Sequence, residues 1–153
     1  IDDTTGITVS GMKAKLRRVK NLGLIVIDYL QLMQSEKKTD NRVNEVADIS
    51  RSLKLMAKEF GVPVICCAQL SRGPEKRDDK RPQLSDLRDS GAIEQDADSV
   101  MLLYRSDYYD MDNPVSEAEV IIAKNRHGSV GRVKLGWYGK YTKFQGYEED
   151  RHE

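Results

Sequence analysis

Leu24-Ile25-Val26-Ile27-Asp28, followed by Tyr29-Leu30-Gln31, sets four aliphatic residues in a row and ends them on a carboxylate. The run does not alternate, so a strand here has no polar face. Such a strand calls for cover on both sides, as in the interior of a parallel α/β sheet. In open α/β sheets ligands bind beyond the carboxyl ends of the strands, which puts Asp28 where chemistry is done.

The rest of the composition fits one domain with a real core. The chain has 153 residues, 39% hydrophobic and 33% charged, with Lys+Arg and Asp+Glu balanced at 25 each. A neutral balance gives no bulk attraction to nucleic acid, so any DNA contact has to come from local basic loops. No apolar stretch reaches membrane-spanning length and no signal peptide opens the chain, which points to a cytoplasmic protein with no membrane partner. The two cysteines, Cys66 and Cys67, are adjacent in an aliphatic run. Neighbours on a strand face opposite ways, so they read as reduced core residues rather than a disulfide. His127 and His152 have no companions at ligand spacing, which argues against a structural metal.

Working outward from the central run, Ser10 is placed to cap a helix through Lys20, with Val9, Met12, Leu16 and Val19 on one stripe and Gly23 beyond it. Its basic residues read as a solvated face. After a polar loop over 34–41, Val46, Ile49, Leu53, Met56 and Phe60 recur at three- and four-residue steps and predict a helix from about Val43 to Phe60, stopped by Gly61 and Pro63. Val62 to Ala68 is a second buried strand, leading into Gln69-Leu70-Ser71-Arg72, and Gly73 to Pro82 reads as a mobile loop. Leu84 to Ala97 holds one or two helical turns around Gly91, and Ser99 to Tyr104 is a third strand. Glu119 to Lys124 and Val130 to Trp137 form a hairpin turned at Asn125-Arg126-His127-Gly128-Ser129, and Tyr141 to Phe144 adds a short strand. Strand–helix–strand alternation followed by antiparallel strands is an α/β fold with a C-terminal β extension.

Parallel strands joined by a helix bring Asp28 and Gln69 to the same sheet edge. There a carboxylate suits a hydrated Mg²⁺ and a neutral amide suits a terminal phosphate; a P-loop ATPase uses a strand-ending aspartate in this way. At this point the chain resembles the ATPase domain of replicative hexameric helicases of the DnaB type, in the RecA-like group. The matching words are Leu24 to Gln31, then Ala68-Gln69-Leu70-Ser71-Arg72, then Ser85-Asp86-Leu87-Arg88-Asp89-Ser90-Gly91-Ala92-Ile93-Glu94-Gln95-Asp96-Ala97-Asp98, and Ala123-Lys124-Asn125-Arg126. They occur in the family's order and spacing from Ile1 to about Phe144, and the word from Arg88 to Asp98 is the most specific.

The resemblance implies a partial RecA-like P-loop NTPase core over 1–147, a parallel sheet flanked by helices, with a charged tail over 148–153. It implies ATP and Mg²⁺ as cofactors, with Asp28 as the Walker B aspartate holding Mg²⁺ through water, and Gln69 coupling nucleotide state to the DNA-binding loops. Arg88, Asp89 and Gly91 fall on the loop that tracks single-stranded DNA. Lys124 and Arg126 match the basic pair that reaches the γ-phosphate of the adjacent subunit. A homo-hexamer, a primase and a helicase loader are the partners it implies.

One departure limits what the chain does alone. The phosphate cradle G-x-x-x-x-G-K-[ST] is absent: the only Gly-Lys pair, Gly139-Lys140, is followed by Tyr141 and has Lys134 where the first glycine belongs. The family's general-base glutamate also lies upstream of the match. The expectation is therefore an inactive piece of an ATP-driven DNA helicase that translocates on single strands. A RecA-like recombinase or repair ATPase, and a non-catalytic interaction module with a degenerate ATPase fold, are the alternatives.

Overall fold

The aliphatic run becomes strand β1 (Ile25–Ile27), and the second run becomes β2 (Val64–Cys66). They pair in parallel with Ile25 opposite Val64 and Ile27 opposite Cys66. Two backbone bonds continue the ladder past the strand ends: Cys67 donates to the carbonyl of Ile27, and Leu30 to that of Cys67, each at 2.9 Å. The computed structural model describes residues 1–37, 41–87, 91–108 and 117–146. The chain divides into two units, one of 1–71 with 87–97 and one of 72–86 with 98–153.

In the first unit the pair is packed by α1 (Val9–Leu16) and α2 (Arg42–Phe60), with α3 (Gly91–Asp96) against α2. Helix α2 follows its pattern closely. Asn41 caps it by accepting from the Val43 N–H, and Gly61, at φ +65°, takes the left-handed turn that ends it. Its stripe of Val46, Ile49, Leu53 and Met56 meets Val9, Ile25, Ile27, Leu30 and Met33 in one core.

Helix α1 departs from expectation at both ends. The Thr8 hydroxyl, rather than Ser10, accepts from the third residue on, Gly11 N–H, so the helix starts at Val9. The N–H groups of Arg18 and Val19 bond back only three residues, to Lys15 and Leu16, so the helix tightens and ends before Asn21 at φ +55°. Its basic face is not simply solvated, because Lys13 and Arg17 both pair with Glu59 of α2.

Cover on both sides of the central run is also corrected. Ile25 and Ile27 are buried, but Val26 is 61% exposed and its neighbour Ile65 on β2 is 55% exposed. The helices lie on one face of a two-stranded sheet, so the unbroken aliphatic run leaves alternate residues uncovered here. Cys66 is half-buried and Cys67 exposed, both as free thiols, so only Cys66 behaves as a core residue. Burial pushes the Cys66 thiol up to about 12.

The second unit is an antiparallel sheet of β3 (Ser99–Arg105), β4 (Glu117–Asn125), β5 (Gly131–Tyr138) and β6 (Lys143–Gly146), in that order. The predicted hairpin is β4–β5, and the last short strand is β6. Val100, Leu102, Ala118 and Trp137 supply the buried apolar positions of this sheet, and Glu119 is buried beside them. The segment read as a mobile loop is tied down instead: Pro74 is buried, Arg77 grips Asp86 with two nitrogens, and Arg81 grips Glu119 while lying over Tyr104. Each arginine has a carboxylate partner at fixed geometry, which composition alone does not show. Among the described residues no helix is long and apolar enough to cross a membrane.

Candidate functional site

The parallel register decides where the first two site residues sit. Ile27 is opposite Cys66, so Asp28 immediately follows β1, and Gln69 follows β2 by three residues at the same carboxyl-end edge. Asp28 is exposed, and among the described residues its carboxylate has no hydrogen-bond or ion-pair partner. An unpaired carboxylate at a strand's carboxyl end suits a hard cation such as Mg²⁺, which keeps several of its waters. The Asp28–Tyr29 peptide is cis.

Gln69 is held by its backbone, not its side chain. After Asp28 the chain makes a single 3₁₀ turn, Leu30–Leu32, which aims Gln31 across at the β2 strand end. The Gln31 carboxamide donates to the Gln69 carbonyl and accepts from the Gln69 N–H, both at 3.2 Å. Gln69's own carboxamide makes no hydrogen bond among the described residues. The turn is held in place in its own right: Arg42, first residue of α2, donates to the Gln31 carbonyl at 2.9 Å and pairs with Glu45. That pairing holds the Glu45 carboxyl below its usual range.

Of the three residues on the expected DNA loop, Arg88 and Asp89 lie outside the described residues. Gly91 opens α3, is exposed, and among the described residues has nothing within 4 Å of where a Cβ would stand. The described neighbours therefore give no reason for a glycine there.

Lys124 and Arg126 belong to the second unit, at the β4–β5 turn. Val100 pairs with Lys124 and Met101 with Ile122, so β4 carries one extra residue, Ala123, as a bulge. The regular two-residue alternation of a strand is interrupted there, so spacing alone does not give the direction of Lys124; bulges re-aim side chains in this way. Arg126 stands in the turn, exposed, its side chain paired with Asp98. The turn is shaped by Asn125, whose Oδ1 accepts from the His127 N–H and whose Nδ2 donates to the Ser129 carbonyl. A Cβ on Gly128 would stand 2.8 Å from that Nδ2, so a larger residue there would push the Asn125 carboxamide out of its place in the turn.

Residues 1–146 match the DnaB-like helicase C terminal domain. The chain belongs to that family. The replicative DNA helicase DnaC of Bacillus subtilis is 56% identical over 153 residues, covering 97% of this chain and 34% of that protein. The replicative DNA helicase DnaB of Geobacillus stearothermophilus is 55% identical with the same coverage. The chain thus spans about a third of the length of the curated relatives it matches. A solved DnaB-like replicative helicase, described with its interactions with primase, superposes with a TM-score of 0.89 at 45% identity, over 97% of this chain and 38% of that one. A solved ATPase domain superposes with a TM-score of 0.86 at 46% identity, over 94% of this chain and 52% of that one. The fold is accordingly part of a RecA-like helicase ATPase core, and DnaB-like membership does not favour the recombinase or the interaction module.

Gln31, Arg42 and Asp98 are the polar residues at these positions to which sequence reasoning gave no role. For Gln31 a signal was present: it is the one polar residue between Leu30 and Met33, both buried, and a polar group in such a turn needs a partner. Which partner it finds depends on the register of β1 on β2, which no local pattern states.

Proposed function

We propose that this chain is a part of a cytoplasmic, ATP-driven replicative DNA helicase that works as a homo-hexamer, translocates on single-stranded DNA and unwinds the duplex at the replication fork. The observation that carries the reading is the pair at the sheet edge: a free carboxylate, Asp28, and a backbone-clamped Gln69 with a free carboxamide, both beyond the carboxyl ends of parallel strands. In the domain division we favour, 1–147 is the ATPase portion and 148–153 a charged tail.

In this scheme Asp28 holds Mg²⁺ through water. The cation, when bound, screens the phosphate charge of ATP. Gln69 hydrogen-bonds near the terminal phosphate and passes its presence or loss to the DNA-binding loop. Arg88 and Asp89, with Gly91, form that loop; Arg88 offsets backbone charge and Gly91 leaves room for a close approach. Lys124 and Arg126 act on the γ-phosphate held by a neighbouring subunit. Primase and a loader are further partners, the first suggested by the solved relative that is described with primase. Lacking a phosphate cradle, this chain alone holds neither the triphosphate nor the attacking water and does not turn over ATP.

The test is strand separation by the full-length protein on a forked duplex with ATP and Mg²⁺. ATP-dependent release of the displaced strand is expected. ATP hydrolysis without any unwinding, at every fork geometry and protein concentration that forms rings, would overturn the helicase reading.

A further inference from the structure

We infer that Gln31 is a positioning residue for Gln69, setting the backbone from which the Gln69 carboxamide reads the nucleotide. The inference rests on the role proposed for Gln69 and goes beyond it. Gln31's carboxamide makes both of its bonds to one residue, donating to the Gln69 carbonyl and accepting from the Gln69 N–H at 3.2 Å each. It thereby extends the β1–β2 ladder past Cys67, where the backbone-to-backbone bonds stop at Leu30. The clamp uses only main-chain atoms of Gln69 and leaves its side chain free to face a ligand.

Gln31 is fixed from behind as well. Its carbonyl accepts from Arg42, which is braced by Glu45, and Leu30 beside it is buried in the core. One rigid path therefore runs from the first turn of α2 through the turn after Asp28 to the residue after β2. A shift of the Asp28 segment is passed to Gln69 through two hydrogen bonds rather than through a flexible loop. Gln69 precedes Leu70, which bridges to Leu87, the residue before the proposed DNA loop at Arg88. Displacing the Gln69 backbone thus pulls on the root of that loop.

The test measures ATPase rates of the full-length protein with and without single-stranded DNA, for Gln31→Ala, Gln31→Glu, Gln69→Ala and the Gln31→Ala/Gln69→Ala double variant. Wild type is expected to respond to DNA, and Gln69→Ala to lose the response. Gln31→Ala should reduce the ratio of DNA-bound to DNA-free rate by about ten-fold, the loss expected for two neutral hydrogen bonds, with the KM for ATP unchanged. Gln31→Glu keeps the size and the acceptor but puts a carboxylate against the Gln69 carbonyl, so it should lose the response as fully while folding normally. The double variant should be no worse than Gln69→Ala alone. A wild-type response in Gln31→Glu, with Gln69→Ala defective, overturns this inference alone. A normal response in Gln69→Ala, or no response in wild type, overturns the role proposed for Gln69 and this inference with it.

Discussion

Asp98 holds Arg126 at both ends: its carbonyl accepts the Arg126 N–H at 2.8 Å, and its carboxylate lies 3.1 Å from the Arg126 guanidinium. The arginine is thus oriented at the lip of the β4–β5 turn while its side chain stays 51% exposed. An exposed, pre-set cation at a hairpin turn is suited to a site supplied by another molecule. In the proposed homo-hexamer, head-to-tail interfaces closing into a ring would carry this turn toward a neighbour's nucleotide. A trans arginine finger is typically worth about 10³–10⁵ in kcat.

This gives a complementation result. In the full-length protein, rings of Arg126→Ala subunits and rings of Asp28→Asn subunits are each expected to be inactive. Mixed rings should regain part of the ATPase activity, at interfaces that join an intact Asp28 to an intact Arg126. With subunit exchange demonstrated, no recovery at any mixing ratio would remove the trans assignment.

Arg88→Ala is expected to weaken single-strand binding by the full-length protein with little dependence on base sequence. Loss of one phosphate contact should make the slope of log K against log salt shallower by about 0.7. A salt titration of binding to two unrelated oligonucleotides measures both. An unchanged slope would mean that Arg88 does not meet the backbone.

The Arg77–Asp86 pair should govern the stability of the second unit. Asp86 is 3% exposed and accepts from two Arg77 nitrogens, at 2.9 and 2.6 Å, and from the Gln83 N–H at 2.7 Å. Asp86→Asn removes the charge that the guanidinium faces, at an expected cost of about 2 kcal/mol. The Arg77 hydrogen bond holds the Asp86 carboxyl below its ordinary value. A depressed carboxylate stabilises the fold fully above the unfolded value, near about pH 4, and that contribution is lost as pH falls through the folded value. The gap between wild type and Asp86→Asn in urea midpoint should therefore be full at neutral pH and close in acid. Trp137, the chain's one tryptophan, reports on this unit.

These cases mark what was legible in the sequence. Helix α2 and the β4–β5 hairpin follow directly from period and turn residues, and the parallel pairing of β1 and β2 follows from the strand–helix–strand order. The family words singled out Asp28, Gln69, Lys124 and Arg126, and the structure puts the first two just past the ends of β1 and β2 and the last two at the β4–β5 end of the second sheet. What stayed hidden is set by register: the Gln31 clamp, the Ala123 bulge and the Asp98 contact depend on which residues two strands place opposite each other. Ion pairing hid the tethered segment after Gly73, where a charged stretch looks the same whether its arginines meet water or buried carboxylates.

The central claim is that Asp28 holds the magnesium of a hydrolysed nucleotide, and steady-state ATPase of the full-length Asp28→Asn variant tests it most directly. Asparagine keeps the shape and removes the charge, so kcat at ordinary Mg²⁺ should fall by about 10² or more while rings still assemble. Wild-type kcat in that variant would contradict the account.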